Sequence, residues 1–297
     1  MMRTRAEYLR RFRDAAYWQP YIDVVLRRHG LSRRRAAIGS GGTFPTFLVD
    51  DLVVKFFPKR FDGSECFVVE RALHTTVLDQ AELAVPRHVA DGRLFDSGGW
   101  RWPYLVTTRL AGTPWRSAPL TREQQHAVAS QLGEMIRRVH DLEPPSEPVF
   151  QRDAVAELRA SCSARQRRFS TVPAELVAHI DDYLAPRSAE RRLLHADLHR
   201  DHVFVDGARL VGVIDWGDAL YADPYYELPS LYLGTFRGDK SLLRAFLDGY
   251  RWPLCTDFAH RAMTMTLIHE FNPLSMCSPN FEQFATLEEL ASHLWQL

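Results

Sequence analysis

The chain has 297 residues, 46% of them hydrophobic, which is enough to bury one large core or two modest ones. Its 37 basic and 37 acidic residues cancel, so the composition indicates neither nucleic acid nor a membrane surface as a partner. The four cysteines are scattered, and the sequence has neither an eighteen-residue apolar run nor a signal-peptide pattern. These features predict a cytoplasmic protein with reduced thiols.

The first predicted element is a helix over residues 6–28, because apolar residues recur there at helical spacing. A break is expected at Gln19-Pro20, and Gly30 is expected to end the helix. Many arginines cluster in this region, and we interpret them as the solvated face of the helix.

A glycine-rich turn follows, with Gly39, Gly41 and Gly42 between two β-like segments. Strands are predicted over residues 47–49 and 52–57, joined by a tight turn. Many backbones need a turn of this kind, so the glycines alone indicate little about function.

Lys55 lies within the apolar strand VVKFF. A lysine buried in a strand is costly unless an acid pairs with it. The next predicted helix, near residues 65–80, offers Glu70 as the better partner and Glu65 as the alternative. If neither pairs, Lys55 extends its ammonium group to solvent at the edge of the sheet.

The rest of the chain is predicted to be mainly helical. Further strands are expected over residues 85–94 and 101–110, and a helix over Thr121–Asp141 begins with a capping pattern. Later helical patterns cover residues 151–169, 173–186, 231–236, 240–250, 257–271 and 287–297.

The most informative run is residues 193–228, LLHADLHRDHVFVDGARLVGVIDWGDALYADPYYEL. Its Asp-Gly pair between two β-branched runs predicts a hairpin, with Asp197, His199 and His202 on the loop before it. Asp215 follows the second strand, so Asp197, His202 and Asp215 can converge. Such a group suits phosphoryl transfer, in which one carboxylate takes the acceptor proton and another holds Mg²⁺ against the phosphates.

Two other metal sites fit the same run. His195 and Asp197 with a later histidine have the composition of a 2-His-1-carboxylate iron site, and His195, His199 and His202 together suit zinc. Neither alternative explains Asp215. A solvated hairpin with charged flanks is the remaining interpretation without a site.

The pattern HADLHRDH…IDW…DP resembles the signature of the aminoglycoside phosphotransferase family, whose members have a protein-kinase-like fold. The resemblance implies an α+β, two-lobed protein. Residues 1–106 would form a small, β-rich nucleotide-binding lobe, and residues 107–297 a larger, mainly helical catalytic and substrate-binding lobe. It also implies Asp197 as the catalytic base and Asp215 as the metal carboxylate. His202 stands where the family usually has asparagine, although Mg²⁺ prefers oxygen ligands.

The same resemblance implies how a nucleotide is held. Lys55, paired with Glu70, would bind the phosphates of ATP, with GTP as an alternative, in the presence of Mg²⁺. The glycine-rich turn and the connector after the last N-terminal strand would supply the other cofactor contacts: Gly41, Gly42, Thr107 and Leu110.

Segments such as WPYLVTTRLAGTPWRSA and LIHEFN extend the resemblance to the hygromycin B phosphotransferases that modify the 7″-hydroxyl. They imply a monomeric resistance or self-protection enzyme acting on an aminoglycoside or amino sugar. Asp197, Asp218 and Glu270 would face the substrate's ammonium groups, while His195 braces the loop. The alternatives are a kinase of another amino sugar or small-molecule alcohol, and a nucleotide-binding pseudokinase in which His202 is the lesion.

Overall fold

A computed structural model of the chain falls into two compact units. Unit 1 comprises Met1–Ala111 and Gly212–Gly217, and unit 2 comprises Gly112–Val211 and Asp218–Leu297. The assignment of nucleotide binding to residues 1–106 and of substrate binding to residues 107–297 stays a prediction. The structure describes residues 5–39, 42–79, 83–97, 99–169, 172–277 and 280–297.

Unit 1 is built on an antiparallel sheet of five strands in the order β1-β2-β3-β5-β4. The strands predicted around Lys55 are confirmed, and β3 pairs Lys55 with Leu105 of β5. This places Lys55 in the interior of the sheet rather than at its edge. The strands are β1 Ala37–Ile38, β2 Thr46–Val49, β3 Leu52–Phe56, β4 His88–Arg93 and β5 Pro103–Thr108.

The helices of unit 1 correct one prediction. The break expected at Gln19-Pro20 is wrong, because Asp14 begins a new helix by accepting a hydrogen bond from Tyr17 N at 3.0 Å. Pro20 lies inside that helix, where burial of Trp18, stacked 4.6 Å from Phe56, offsets the lost backbone hydrogen bond. The helices are α1 Arg5–Arg11, α2 Ala15–Arg28 and α3 Gly63–Thr76.

Unit 2 is mainly helical in its described part. Two predicted helices are each divided: Asp153 caps a new helix within residues 151–169, and His179, at φ −100° and ψ 1°, interrupts residues 173–186. A π-helical segment covers Ser230–Thr235. The α-helices are α4 Arg122–His140, α5 Pro148–Gln151, α6 Ala154–Ala160, α7 Cys162–Phe169, α8 Ala174–Val177, α9 Ile180–Tyr183, α10 Lys240–Tyr250, α11 Phe258–Ile268, α12 Leu274–Cys277 and α13 Leu287–Trp295.

Helices α4 and α10 cross at two glycines. A Cβ on Gly133 would lie 2.1 Å from the carbonyl oxygen of Phe246, and one on Gly249 would lie 2.1 Å from that of Ser130. Side chains at either position would therefore push the backbones apart. The close crossing brings the last residues of the two helices, His140 and Tyr250, into contact. His140 also contacts the candidate site of unit 2, as described below.

The predicted hairpin is confirmed, and β6 joins it by pairing Thr113 with Val205. A second, two-stranded antiparallel sheet pairs β7 with β10, and Leu194 lies opposite Leu220. The segment between β7 and β8 is thus fixed at both ends. No helix among the described residues has the length and apolar character needed to cross a membrane. The strands are β6 Thr113–Pro114, β7 Arg192–Leu194, β8 Val203–Asp206, β9 Arg209–Val213 and β10 Leu220–Ala222.

Candidate active site

Unit 1 holds Lys55 between two carboxylates. Its Nζ lies 2.6 Å from Glu70 Oε2 on α3 and 2.6 Å from Asp215 Oδ1 after β9. Lys55 and Glu70 are buried, whereas the Asp215 side chain is 28% exposed. Glu70, rather than Glu65, is therefore the partner of the strand lysine, and the ion pair predicted from the sequence is confirmed.

The environment of Lys55 keeps it charged. Burial alone would lower the pKa of Lys55, but the charges of Asp215 and Glu70 and their hydrogen bonds outweigh burial and raise it. The ammonium also lies 5.3 Å from the ring centroid of Phe44 and 5.2 Å from that of Phe57. Lys55 is thus a fixed cation that lies beside the partly exposed Asp215. A cation held in this way suits the binding of phosphate groups.

The turn that carries Asp215 has an unusual backbone. Asp215 has φ +65°, a left-handed conformation that few residues other than glycine adopt. Trp216 is fully buried and donates its indole N–H to the carbonyl of Val213 at 3.1 Å. A Cβ on Gly217 would meet Cys66 Cβ of α3 at 3.2 Å. Trp216 and Gly217 thus hold the turn in place within unit 1, and this orients Asp215.

The other predicted cofactor residues lie at different places in unit 1. Thr107 is buried on β5, opposite Val53. Leu110 follows β5 and packs against Gly212, where an added Cβ would lie 2.8 Å from Leu110 Cδ1. Gly42 has φ +85° with open space where a side chain would stand. Gly41 lies outside the described residues, and the nucleotide-binding roles of all four stay predictions.

In unit 2, the loop that carries Asp197 is anchored by a buried glutamate. Glu227 has no exposed surface; its Oε2 accepts the backbone N–H of His195 at 2.8 Å, and its Oε1 accepts that of Ala196 at 2.9 Å. Ala196 has φ +65°, so the loop turns sharply before Asp197. Thr235 Oγ1 donates to the carbonyl of Leu198 at 2.8 Å and fixes the next residue.

His140, at the end of α4, completes this support. Its Nε2 lies 3.4 Å from Glu227 Oε2 and its Nδ1 2.8 Å from the hydroxyl of Tyr250, at the end of α10. Burial alone would raise the pKa of Glu227, but His140, the charge of His195 and the backbone hydrogen bonds lower it. Glu227 therefore stays ionised at neutral pH. The sequence did not predict this anchoring role.

Asp197 and two histidines lie close together at the tip of the loop. His202 Nδ1 is 2.9 Å from the carbonyl oxygen of Asp197 and 3.5 Å from its Oδ2. His199 Nε2 lies 3.6 Å from the same Oδ2. Ser230 donates its hydroxyl to the other carboxylate oxygen at 3.4 Å. His195 is fully buried, and its Nδ1 accepts the amide of Asp197 at 3.2 Å, which fits a bracing role.

The iron alternative requires His195 as a ligand. The described residues contain one His/Asp group of metal-binding proximity, formed by Asp197, His199 and His202. His195 is not a member of it. Asp215 belongs to unit 1, whereas Asp197 and His202 belong to unit 2, so the predicted convergence of the three stays a prediction.

Two further acidic residues of unit 2 lie near one buried tyrosine. Burial raises the pKa of Tyr226, and the charges of Glu270 and Asp218 raise it further. The Tyr226 hydroxyl accepts the backbone N–H of Glu270 at 3.2 Å, and its ring stacks on that of His269 at 4.3 Å. Glu270 is exposed and Asp218 half-buried, so both carboxylates can reach a ligand.

The antiparallel sheet with its Lys–Glu–Asp group, followed by a mainly helical unit with an HADLHRDH loop, defines a protein of the kinase-like class. A family model described as "Phosphotransferase enzyme family", APH, matches residues 34–264. The chain belongs to this family.

Solved structures share the fold. The GDP complex of aminoglycoside 2′-phosphotransferase-IIIa has a TM-score of 0.64 at 17% identity, covering 94% of this chain and 99% of that one. Aminoglycoside phosphotransferase APH(3″)-Id from Streptomyces rimosus has a TM-score of 0.59 at 20% identity, covering 86% and 97%. At such low identity these matches establish the fold and not the substrate.

Two curated proteins are also similar to the chain. Lysine-specific demethylase JMJ21 of Arabidopsis thaliana is 22% identical over 271 residues, which is 66% of this chain and 29% of that protein. Hygromycin-B 4-O-kinase of Escherichia coli is 38% identical over 42 residues, 14% of this chain and 12% of the kinase. The chain thus matches less than a third of the length of either protein.

Proposed function

We propose that the chain is an ATP-dependent O-phosphotransferase acting on a hydroxyl of an aminoglycoside or related amino sugar. The observation that carries the proposal is the position of Lys55 Nζ, 2.6 Å from both Glu70 and Asp215. A lysine held by a helix glutamate orients nucleotide phosphates in kinase-like proteins. The family assignment and an Asp197 loop anchored on both sides add support.

In this proposal Lys55 binds the nucleotide phosphates, and Glu70 holds the lysine in place. Gly41, Gly42, Thr107 and Leu110 contribute to the rest of the nucleotide site. The related 2′-phosphotransferase was solved as a complex with GDP and a spectinomycin phosphotransferase as a complex with ADP, so GTP is tested beside ATP.

Mg²⁺ fits part of the ligand set. The Asp215 carboxylate is a hard oxygen ligand with partial exposure, as Mg²⁺ requires, whereas the His202 imidazole is a softer second candidate. When bound, Mg²⁺ would neutralise phosphate charge. Asp215 and His202 are the residues that we propose to hold it.

Asp197 is proposed to act on the acceptor. It orients the substrate hydroxyl, whose oxygen forms a bond to the γ-phosphorus as the bond to the bridging oxygen of ADP breaks. The hydroxyl proton passes to the Asp197 carboxylate. Positioning and charge neutralisation would supply most of the rate, as is usual for phosphoryl transfer.

The substrate class rests on charge. Glu270 is exposed and Asp218 half-buried, and with Asp197 they offer acidic groups to a polycationic sugar. Hygromycin B is the specific candidate, since the sequence resembles kinases of its 7″-hydroxyl and matches part of a 4-O-kinase. The position modified stays a prediction.

The test is a coupled nucleotide-turnover assay over hygromycin B, other aminoglycosides and simple amino alcohols, with ATP and GTP in parallel. We expect ADP release that depends on an aminoglycoside, together with a product that is heavier by one phosphoryl group in mass spectrometry. Phosphorylation of amino alcohols alone would move the assignment to the runner-up class. Nucleotide binding without turnover on any acceptor would indicate a pseudokinase.

The presence of histidine at position 202, where the family usually has asparagine, favours the pseudokinase alternative. It also gives a direct prediction. His202→Asn supplies the amide oxygen that Mg²⁺ prefers, so activity should be retained, with half-maximal rate at a Mg²⁺ concentration lower by about threefold or more. Turnover is measured across a Mg²⁺ titration, with the exposed His179→Asn as the matched control. Loss of activity at every Mg²⁺ concentration would contradict a ligand role.

A further inference from the structure

Cys255 carries an exposed thiol in the connection between α10 and α11 of unit 2. The other described cysteine side chains are buried: Cys66 lies on α3, and Cys162 donates its thiol to the carbonyl of Leu267 at 3.3 Å. Burial raises the pKa of Cys162 to about 11, so that thiol stays protonated and unreactive at neutral pH. Among the described cysteine side chains, Cys255 is therefore the one that a reagent in solvent can reach.

The sulfur of Cys255 is paired with a phenol. Cys255 Sγ lies 3.2 Å from the hydroxyl of the buried Tyr225. Burial raises the pKa of Tyr225, and Cys255 raises it further, because a sulfur that accepts the O–H bond favours the protonated phenol. The Tyr225 hydroxyl is thus a donor directed at the sulfur.

A second donor lies behind this phenol. Trp252 is 7% exposed, and its indole Nε1 is buried and makes no hydrogen bond with any described residue. The indole packs edge-on against Tyr225, with ring centroids 5.3 Å apart at 87°, and its N–H lowers the pKa of the phenol. A buried N–H without an acceptor is costly. The two donors form a line that ends at Cys255, where an oxygen bound to the sulfur would accept a hydrogen bond.

The charges around the thiol suit nucleophilic attack. The guanidinium carbon of Arg261 lies 4.0 Å from the centroid of the Tyr225 ring, and Arg261 is held there by Asp223 at 3.6 Å. Reactive cysteines lie in such partly exposed surroundings with a cation nearby. The thiol also interacts with the exposed Asp257 and lowers the pKa of its carboxyl group. The Asp257 carboxylate is therefore placed to take the thiol proton.

We propose that Cys255 is a site of reversible oxidation, at which a hydroperoxide converts the thiol to a sulfenic acid held by Tyr225 and Trp252. The proton of Cys255 passes to Asp257, and the sulfur attacks one oxygen of the peroxide. The S–O bond forms as the O–O bond breaks, the sulfur loses two electrons, and the leaving hydroxide takes up the proton as water. The modification is independent of the proposed phosphotransferase function.

A low-molecular-weight thiol reverses the modification. Its sulfur displaces water from the sulfenic acid and forms a mixed disulfide with Cys255. A second thiol attacks this disulfide, releases reduced Cys255 and leaves as the external disulfide.

The test uses reduced, full-length protein from which the reductant has been removed. Hydrogen peroxide is added together with dimedone, which traps sulfenic acids, and the labelled residues are located by peptide mass spectrometry. We expect the adduct at Cys255 and not at Cys66 or Cys162, and none at position 255 in Cys255→Ser. Tyr225→Phe and Trp252→Phe keep aromatic rings but remove the donors, so each should lower the adduct yield at a fixed time by about fivefold, the factor that one hydrogen bond supplies.

The matched control is Tyr221→Phe, which removes the hydroxyl of a half-buried tyrosine on β10 and should be labelled as the wild type is. Equal labelling of the wild type, Tyr225→Phe and Trp252→Phe would show an ordinary exposed thiol and overturn the inference, as would the absence of an adduct at Cys255. Thermal unfolding checks that each variant is folded, and either donor variant is sufficient alone. Dithiothreitol added after peroxide, without dimedone, should restore the Cys255 thiol; failure to do so would overturn the reversible step.

Discussion

Asp197→Asn is expected to lower kcat by roughly 10²–10⁴-fold, the usual contribution of a positioned general base, while nucleotide affinity changes little. The amide keeps the shape of the carboxylate and can still receive the Ser230 hydroxyl, which lies 3.4 Å from Asp197 Oδ1. It cannot take the proton of the acceptor. Turnover and nucleotide dissociation constants are measured separately on the same preparation.

The control for this variant is Asp206→Asn, which removes an exposed carboxylate at the end of β8. It should leave both quantities near those of the wild type. Equal losses of turnover and nucleotide affinity in Asp197→Asn would contradict its assignment as the base and would indicate a role in binding.

Glu227→Leu is expected to lower the free energy of unfolding by about 3–5 kcal/mol, because removing a buried, bonded charge leaves its partners unsatisfied. The backbone N–H groups of His195 and Ala196 would lose their acceptor, and His140 would lose its carboxylate. Glu227→Gln keeps one carbonyl oxygen and should cost less. Urea unfolding at neutral pH measures both, with the exposed Glu134→Gln as control.

The pH dependence of this effect has a defined sign. Since the pKa of Glu227 is lowered on folding from its ordinary value of 4.5, its contribution is present above that pH and is lost as pH falls through the lower folded value. The difference in stability between the wild type and Glu227→Gln should therefore shrink under acid conditions. A difference that grows on acidification would show that Glu227 is protonated in the folded protein.

The sequence predicted those features that depend on local pattern. Lys55 stood out because a cation within an apolar strand must be paired, and the next helix along the chain supplied Glu70. The capping pattern at Thr121 and the Asp-Gly hairpin were equally local, and both are confirmed.

Features that depend on distant contacts were missed. Glu227 anchors backbone groups 31 and 32 residues earlier, and a single glutamate between a tyrosine and a leucine carries no sign of such a role. The strands β7 and β10 have three residues each and pair across most of the central run, so no alternation reveals them. The helix break near Asp14 was misplaced because the proline was given more weight than the cap.

The two acids that hold Lys55 come from very different points along the chain. Glu70 is 15 residues away, whereas Asp215 is 160 residues away and belongs to the short segment Gly212–Gly217 of unit 1. During synthesis, the strands of the five-stranded sheet therefore emerge from the ribosome long before Asp215. A fragment ending at residue 111 would leave the ammonium with half of its counter-charge, so truncation cannot yield a complete phosphate-binding unit.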